Sequence, residues 1–436
     1  MEKWEKELIN KVNTAIPDLV DERINITLKQ LPRKKRTPKS IYFSSIAAAT
    51  IFLLFGLSYL STPFANTMGS LPVIGSVFEM VGTIGEKKGF EQGLTTYLGE
   101  EVEIKDQYIT FTESLYDGGS IHIGFIVHNH EEGKAPERFL QEIAVYINGE
   151  APSGYGMGVD GKVLEDGTYI GTINIELDSS VPDSFMLGLG DRDSNSLYVE
   201  LPVEKQGESE SFLVNETKKW KDQLMLYKKV TFFPTSTEIT YQTVMNEDEF
   251  QTHHMDVIVY DDQGRLLQPF SGGGSGGGPK DGKITQEFSY HFEPFDTIPK
   301  SLTIKPILSK IEDYTPDLNK KKWEGNGFTL SQGEIGSVKI INLKEESETV
   351  TLQYEVQGGH TYDQVVTVWL EDANGNYIGE QGTPLRVEGS VNQYEATFTS
   401  VDSTKDIYVV TAELQPIEFV EELEVTIDLN RSKWKE

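Results

Sequence analysis

The feature that most constrains this chain is an uncharged, apolar stretch of twenty residues, 41–60. At about 1.5 Å of rise per residue, a helix of that length spans roughly 30 Å, the thickness of a bilayer's hydrocarbon core. The basic cluster Arg33–Arg36 precedes it, and no charge follows until Glu79. Because Lys and Arg are retained on the cytoplasmic side, we predict a single-pass membrane helix over 41–62, with the N-terminus cytoplasmic and the C-terminus extracellular.

A cleaved signal peptide is the competing interpretation of the same stretch. Its apolar core is usually shorter and begins closer to the N-terminus, with a small-residue cleavage site after it. Here forty residues of patterned, amphipathic sequence come first. This order favours an anchor that stays in the cell membrane.

Charge is distributed unevenly on the two sides of the predicted anchor. Residues 1–40 contain 10 basic and 6 acidic side chains, whereas the rest of the chain has 29 basic and 63 acidic ones. An outer region this acidic repels nucleic acid, so we predict no nucleic-acid partner. The chain has no Cys, which excludes disulfides, thiolate metal sites and a Cys nucleophile. Its length allows two or three outer domains.

The first forty residues are predicted to form a cytoplasmic tail of two short amphipathic helices, separated at Pro17 and ended by Pro32. So short a tail has no core in which to bury an apolar face. The face could pack on itself or lie on the membrane surface, but the acidic residues in both helices favour a cytoplasmic protein partner. The predicted partner-binding stripe is Trp4, Leu8, Val12, Ile16, Val20, Ile24, Leu28 and Leu31.

Residues 63–98 are predicted to form a juxtamembrane stalk, because apolar residues there are interrupted by Pro and Gly. A short helical piece is expected near Phe90–Tyr97. The stalk either lies on the headgroups or docks onto the first outer domain, or it acts as a hinge or cleavage-sensitive segment. The residues alone leave these alternatives open.

From about Gly99 the apolar pattern changes to a period of two, which is typical of strands. A strand before a Gly-containing turn recurs near Val145, Val257 and Val366, a spacing of roughly 110 residues that suits a seven-stranded sandwich. The fold class is therefore predicted as mainly β, with two to three extracellular immunoglobulin-like β-sandwich domains. Their expected bounds are 99–206, 210–331 and 332–430, and the third is either separate or an extension of the second.

The sequence offers little catalytic chemistry. His128-x-His130 has metal-compatible spacing, but only two imidazoles are present and exposed loop histidines are the simpler interpretation. Asp191-x-Asp193-x-Asn195 begins like a calcium loop, yet Ser196 occupies the position of the required glycine. The glycine-rich run 271–278 lacks the Lys-Ser/Thr ending of a phosphate cradle and is predicted to be a flexible loop. We predict no enzyme activity, no catalytic residue, no metal site and no cofactor.

The order of parts resembles a known Gram-positive family. The tail sequence IPDLVDERINITLKQL, the RKKR flank, one membrane helix and PFANTMGSLPVIGSVFEMVG are similar to those of single-pass membrane proteins, some of which are anti-sigma factors. The resemblance implies a tail that binds an extracytoplasmic-function sigma factor and an outer region that senses the envelope. The His-x-x-x-Cys-x-x-Cys motif of zinc-type anti-sigma domains is absent.

Two functions therefore follow as expectations. In the first, the chain is a membrane-anchored regulator that sequesters a cytoplasmic sigma factor through the tail stripe. In the second, it is a cell-surface protein for adhesion or ligand binding whose tail is a passive anchor. Both place the protein in the membrane through residues 41–60 and leave the extracellular ligand or partner protein unknown.

Overall fold

The computed structural model describes most of the chain beyond residue 74, and all of that part belongs to one compact unit, Ile74–Glu436. The predicted tail, the predicted membrane helix and the first part of the predicted stalk lie outside the described residues. Among the helices that are described, none has the length and apolar character needed to cross a bilayer. The described residues are 75–104, 107–128, 143–164, 166–177, 181–190, 198–346, 349–399 and 406–430.

Strands dominate the described part of the chain, so the mainly β class is confirmed. We divide the structure into three β modules according to which sheets enclose each hydrophobic core. The described residues of the first module form eight strands: β1 (Thr96–Ile104), β2 (Gln107–Tyr116), β3 (Ser120–His128), β4 (Val145–Ile147), β5 (Tyr155–Val163), β6 (Tyr169–Leu177), β7 (Ser184–Gly190) and β8 (Tyr198–Glu204).

The first module has two antiparallel sheets, ordered β1-β2-β3-β6-β5 and β4-β7-β8. Residues from both sheets, such as Phe125 and Leu187, are fully buried in one shared core. Strand β3 is buried along almost its whole length, on both faces. Its second face is covered by a helix from the segment before β1.

The second module begins with seven strands in sequence. Sheet β13-β14-β11-β10-β9 forms one layer, and β12 pairs with β15 in the other. The strands are β9 (Glu210–Trp220), β10 (Gln223–Phe232), β11 (Thr237–Asn246), β12 (His253–Asp261), β13 (Pro269–Gly276), β14 (Lys283–Phe292) and β15 (Ser301–Lys310).

The third module is built from two further sheets, β16-β24-β20-β21 and β17-β18-β19-β23-β22. Its strands are β16 (Leu318–Lys322), β17 (Phe328–Ser331), β18 (Gly336–Glu345), β19 (Thr349–Gly358), β20 (Val368–Glu371), β21 (Tyr377–Ile378), β22 (Leu385–Arg386), β23 (Gln393–Thr399) and β24 (Tyr408–Ala412).

The end of the described chain returns to the second module. Strands β25 (Ile417–Phe419) and β26 (Val425–Asp428), with a 3₁₀ turn between them, both pair with β15. Leu423 and Ile427 are buried in the second core rather than the third. The sequence-based third region, 332–430, therefore contains residues that complete the second module.

The second and third modules also share a sheet, because β12 is buried on both faces. Val257 and Val259 point into the second core, whereas Ile258 points into the third. Such a strand cannot lose either neighbour without exposing apolar surface, at a cost of about 25 cal/mol per Å². The shared sheet favours the interpretation of the third region as an extension of the second.

Helices are few and short among the described residues. They are α1 (Val77–Val81), α2 (Ile84–Glu91), α3 (Glu247–Thr252) and α4 (Tyr362–Val366). Helix α4 corrects one expectation, since Val366 was predicted to lie in a strand. Thr361 caps that helix, in a reciprocal capping box with Gln364, and the strand β20 begins only at Val368.

The glycine-rich run 271–278 was predicted to be a loop, and this prediction was wrong for most of it. Residues 271–276 belong to β13, an edge strand paired with β14. A Cβ added at Gly274 would lie 2.6 Å from the ring of Phe288 on β14, and one added at Gly272 would lie 2.6 Å from the ring of Tyr290. These rings cover the strand and supply the packing that glycine itself lacks.

Candidate functional site

Several buried charged side chains lie close together where α2 meets two turns, one from each of the first two modules. We call this place the junction. It consists of α2, the β2–β3 turn (117–119) and the β10–β11 turn (233–236). The sequence placed this helix in a stalk, with docking onto the first outer domain as one alternative, and in the structure α2 packs against both the first and the second module.

Helix α2 starts with a reciprocal capping box. The Thr83 backbone N–H donates to Glu86 Oε2 at 2.6 Å, and the Glu86 backbone N–H donates to the Thr83 hydroxyl at 3.3 Å. These bonds satisfy donors that a helix start otherwise leaves unpaired. They also fix the Glu86 side chain, whose second oxygen is free to bond elsewhere.

That second oxygen meets a histidine of the first module. Glu86 Oε1 is 3.0 Å from His122 Nδ1 on β3, and the two residues are only 1% and 2% exposed. Burial raises the pKa of Glu86, but the hydrogen bond and the charge of His122 outweigh it and hold the pKa below 4.5. Burial likewise opposes the charge on His122, yet its bond to Glu86 raises the pKa above 6.5. The result is a buried ion pair.

A second buried carboxylate joins the two modules directly. Asp117 has no exposed surface. Its Oδ2 accepts hydrogen bonds from the Thr235 backbone N–H at 2.9 Å and from the Thr235 hydroxyl at 2.5 Å. Its Oδ1 accepts from the Gly119 backbone N–H at 3.1 Å. Charge-assisted bonds of this kind are about twice as strong as neutral ones.

Two glycines allow α2 to approach so closely. A Cβ at Gly85 would lie 2.2 Å from the Thr235 carbonyl oxygen, and one at Gly89 would lie 2.1 Å from a methyl group of Leu115. Glycine inside a helix costs about 1 kcal/mol relative to Ala. The contact with both modules explains why this helix contains two.

The preceding helix α1 is attached to the first module in a similar way. Glu113 on β2 accepts hydrogen bonds from the Ser76 hydroxyl at 2.8 Å and from the Phe78 backbone N–H at 3.2 Å. Burial raises the pKa of Glu113 despite these bonds. Val77 and Phe78 are almost fully buried, and Val77 packs against Ile126 and Ile170. Residues 76–91 are therefore part of the folded unit.

A groove of about 530 Å³ lies beside the junction, between the first and second modules. The outer face of the β13-β14-β11-β10 sheet contributes to it, as do the ends of β5 and β6. Gly119 and Phe233, from the two junction turns, border it. Its volume is in the range of ligand sites.

The residues singled out by sequence have different outcomes. The whole predicted partner-binding stripe, from Trp4 to Leu31, lies outside the described residues and stays a prediction. His128 is described, and its Nε2 is 3.1 Å from the Thr110 hydroxyl. His130 and the loop at Asp191 are outside the described residues. In the part of the chain that the structure describes, no group of three or more acidic or His side chains is placed to hold a metal ion.

Sequence reasoning missed Glu86, Asp117 and His122. One signal was available, since His122 interrupts the apolar run 121–127 of a strand with no exposed face. A buried titratable group in such a strand needs a partner. The identity of that partner could not be found from spacing, because it lies 36 residues away on another element.

Comparisons with known proteins match two parts of the chain. A domain of unknown function, DUF4179, matches residues 35–129, and a family of unknown function, DUF5643, matches residues 209–340. No curated protein matches the chain. A crystal structure of a conserved domain protein from Bacillus anthracis is 16% identical, with a TM-score of 0.39. The match covers 58% of this chain and 90% of that one.

The Glu86–His122 pair predicts a pH dependence of stability. Because the pKa of His122 is raised above 6.5 in the folded protein, its contribution to stability is complete below pH 6.5. That contribution is lost as the pH rises through the pKa of His122 in the folded protein. Because the pKa of Glu86 is lowered below 4.5 in the folded protein, its contribution to stability is complete above pH 4.5. That contribution is lost as the pH falls through the pKa of Glu86 in the folded protein. The contribution of the pair is therefore greatest between these two pH values.

The melting temperature is measured as a function of pH for the full chain and for the double variant Glu86→Leu/His122→Leu. Asp117, Glu113 and Glu176 also act on the pair and remain in both proteins. The difference between the two curves should peak between pH 4.5 and 6.5. A difference that does not change with pH would contradict the assignment of an ion pair.

Proposed function

We propose that the chain is a membrane-anchored regulator, an anti-sigma factor whose cytoplasmic tail sequesters an extracytoplasmic-function sigma factor. In this proposal residues 41–60 cross the membrane, and the outer immunoglobulin-like modules sense the state of the envelope. The tail stripe, from Trp4 to Leu31, holds the sigma factor. No catalytic role is assigned to any residue.

One observation carries the proposal, namely the burial of α2 at the junction. The helix follows the predicted anchor closely in the sequence, and its Glu86 is bonded to the first module while Gly85 touches the second. A change in how these modules pack would break those contacts and release α2.

The DUF4179 match supports the same function. That domain is found in membrane proteins that resemble anti-sigma factors. The matched residues run from the basic flank through the predicted anchor, α1 and α2 to the end of β3. They thus include Glu86 and its partner His122.

The alternative is a cell-surface ligand-binding protein, and the groove beside the junction favours it. The two functions differ in what the tail does. A regulator with an altered tail stripe changes transcription in the cell, whereas a surface-binding protein with the same alteration does not.

Topology is the first requirement of the proposal. Protease added to intact protoplasts should digest the β modules and leave a small membrane-held fragment that contains the tail. An epitope at the N-terminus should stay protected until the membrane is permeabilised, whereas one at the C-terminus should be lost at once. Full protection of the C-terminal epitope would contradict the orientation and, with it, the proposed function.

A further inference from the structure

The groove between the first and second modules is bordered by two edge strands. In the described residues, β13 pairs only with β14, and β5 pairs only with β6. Gly272–Ser275 of β13 and Tyr155 and Gly156 of β5 all line the groove. An edge strand has backbone N–H and C=O groups that another strand can pair with. Natural proteins usually block such edges with charged side chains or Pro, but in β13 the only such residue is Pro269 at its first position, outside the segment that lines the groove.

The glycines on this border leave room for an occupant. A Cβ added at Gly273 or at Gly156 would meet no atom within 4 Å. Tyr155 is 39% exposed beside them. These positions are therefore open on the side of the groove, unlike Gly272 and Gly274, which lie against aromatic rings.

The carboxylates of the groove differ in whether they have a partner. Glu238 and Glu287 are each within ion-pair distance of a lysine, at 3.4 Å from Lys229 and 2.8 Å from Lys228. Glu176 is different, because its Oε1 is buried and has no hydrogen-bond partner among the described residues. A buried carboxylate oxygen without a donor is costly, and an ammonium or guanidinium group supplies that donor.

We propose that this groove binds an extended, basic peptide segment of another protein. Its backbone hydrogen-bonds to the free edge of β13, as in strand addition, and a Lys or Arg side chain bonds to Glu176. The occupant touches Gly119 and Phe233 of the junction turns, so its binding favours one packing of the two modules. The inference concerns the outer region alone and does not require a sigma factor.

The test uses the purified full chain and two labelled ten-residue peptides, one of alternating Lys and Thr and one of alternating Lys and Pro. Both have the same charge, but Pro has no N–H to donate to a strand. Fluorescence anisotropy should show binding of the Lys-Thr peptide and at least about tenfold weaker binding of the Lys-Pro peptide. Hydrogen exchange should slow at 272–275 when the Lys-Thr peptide is added.

Three variants locate the site. Gly273→Val fills the groove and Glu176→Gln removes the charge, so each should weaken binding of the Lys-Thr peptide about tenfold or more. Gly278→Val is the matched control, because it is also in open space but does not line the groove. An unchanged melting temperature of Gly273→Val shows that its fold is intact. No binding of the Lys-Thr peptide, equal binding of both peptides, or equal binding by Gly273→Val and Gly278→Val would each overturn the proposal.

Discussion

Replacing His122 with Ala is expected to release α2 from the first module. The change leaves the Glu86 carboxylate buried and without its cationic partner, and removing one member of a buried ion pair costs about 3–5 kcal/mol. This cost lowers the free energy needed to open α2 locally, because Glu86 is part of that helix. Hydrogen exchange of the amides from Ile84 to Glu91, measured in the full chain, should therefore accelerate by roughly a hundredfold or more.

Two controls separate this effect from a general loss of packing. Glu86→Leu/His122→Leu removes both charges, and it should restore much of the protection of α2 because replacing a buried pair with apolar residues is often neutral. Asp296→Ala breaks an ion pair to Lys88 on the same helix, but Asp296 is largely exposed, so the effect should be small. Equal exchange of the α2 amides in His122→Ala and in the unaltered chain would contradict the role of the Glu86–His122 pair in holding α2.

If the tail holds a sigma factor as proposed, Leu8→Asp with Ile24→Asp is expected to abolish that binding. Both residues belong to the predicted tail stripe, one in each predicted helix, and we expect them to lie in the buried centre of that interface. Replacing a buried Leu or Ile with Ala removes about 2–5 kcal/mol, and Asp additionally leaves a charge in an apolar site. At about 1.4 kcal/mol per tenfold, the double change should lower affinity by several orders of magnitude.

Co-purification with the full chain and transcript levels in the cell measure this result. The sigma factor should be lost from the double variant, and its regulon should be switched on, with membrane insertion unchanged. Lys11→Glu, beside the stripe, is the control and should matter much less. If transcription stays the same while the double variant is made and inserted, the tail is a passive anchor and the surface-binding alternative is favoured.

Sequence patterns predicted the β modules well where the pattern is local. The strand predicted near Val257 is β12, and the Gly-containing turn predicted after it holds Gly264 at a φ of +75°. Alternating apolar residues indicate a strand, and a glycine soon after an Asp indicates a turn, and both signals lie within ten residues of sequence. The mainly β class follows from such signals.

The junction could not be predicted in the same way, because its contacts join distant residues. Gly85 and Gly89 look like the glycines of a flexible stalk in the sequence. Their actual role is a close approach to Thr235 and Leu115, and Thr235 is far along the chain. Similarly, β13 looks like a linker because glycine has low strand propensity, and only the rings of β14 make it a strand. Neither partner is visible in the local pattern.

In the proposed regulator, the packing of the outer modules controls the tail through α2. Gly85→Leu tests it directly, because the new side chain would collide with the Thr235 carbonyl and force α2 out of the junction without altering any charge. Lys87→Leu places the same side chain on an exposed position of the same helix and is the control. Transcripts of the sigma-factor regulon are measured in cells carrying each full-length variant. We expect Gly85→Leu to change them as Leu8→Asp/Ile24→Asp does, with Lys87→Leu unchanged, whereas unaltered transcripts in Gly85→Leu cells that make and insert the protein would contradict the account.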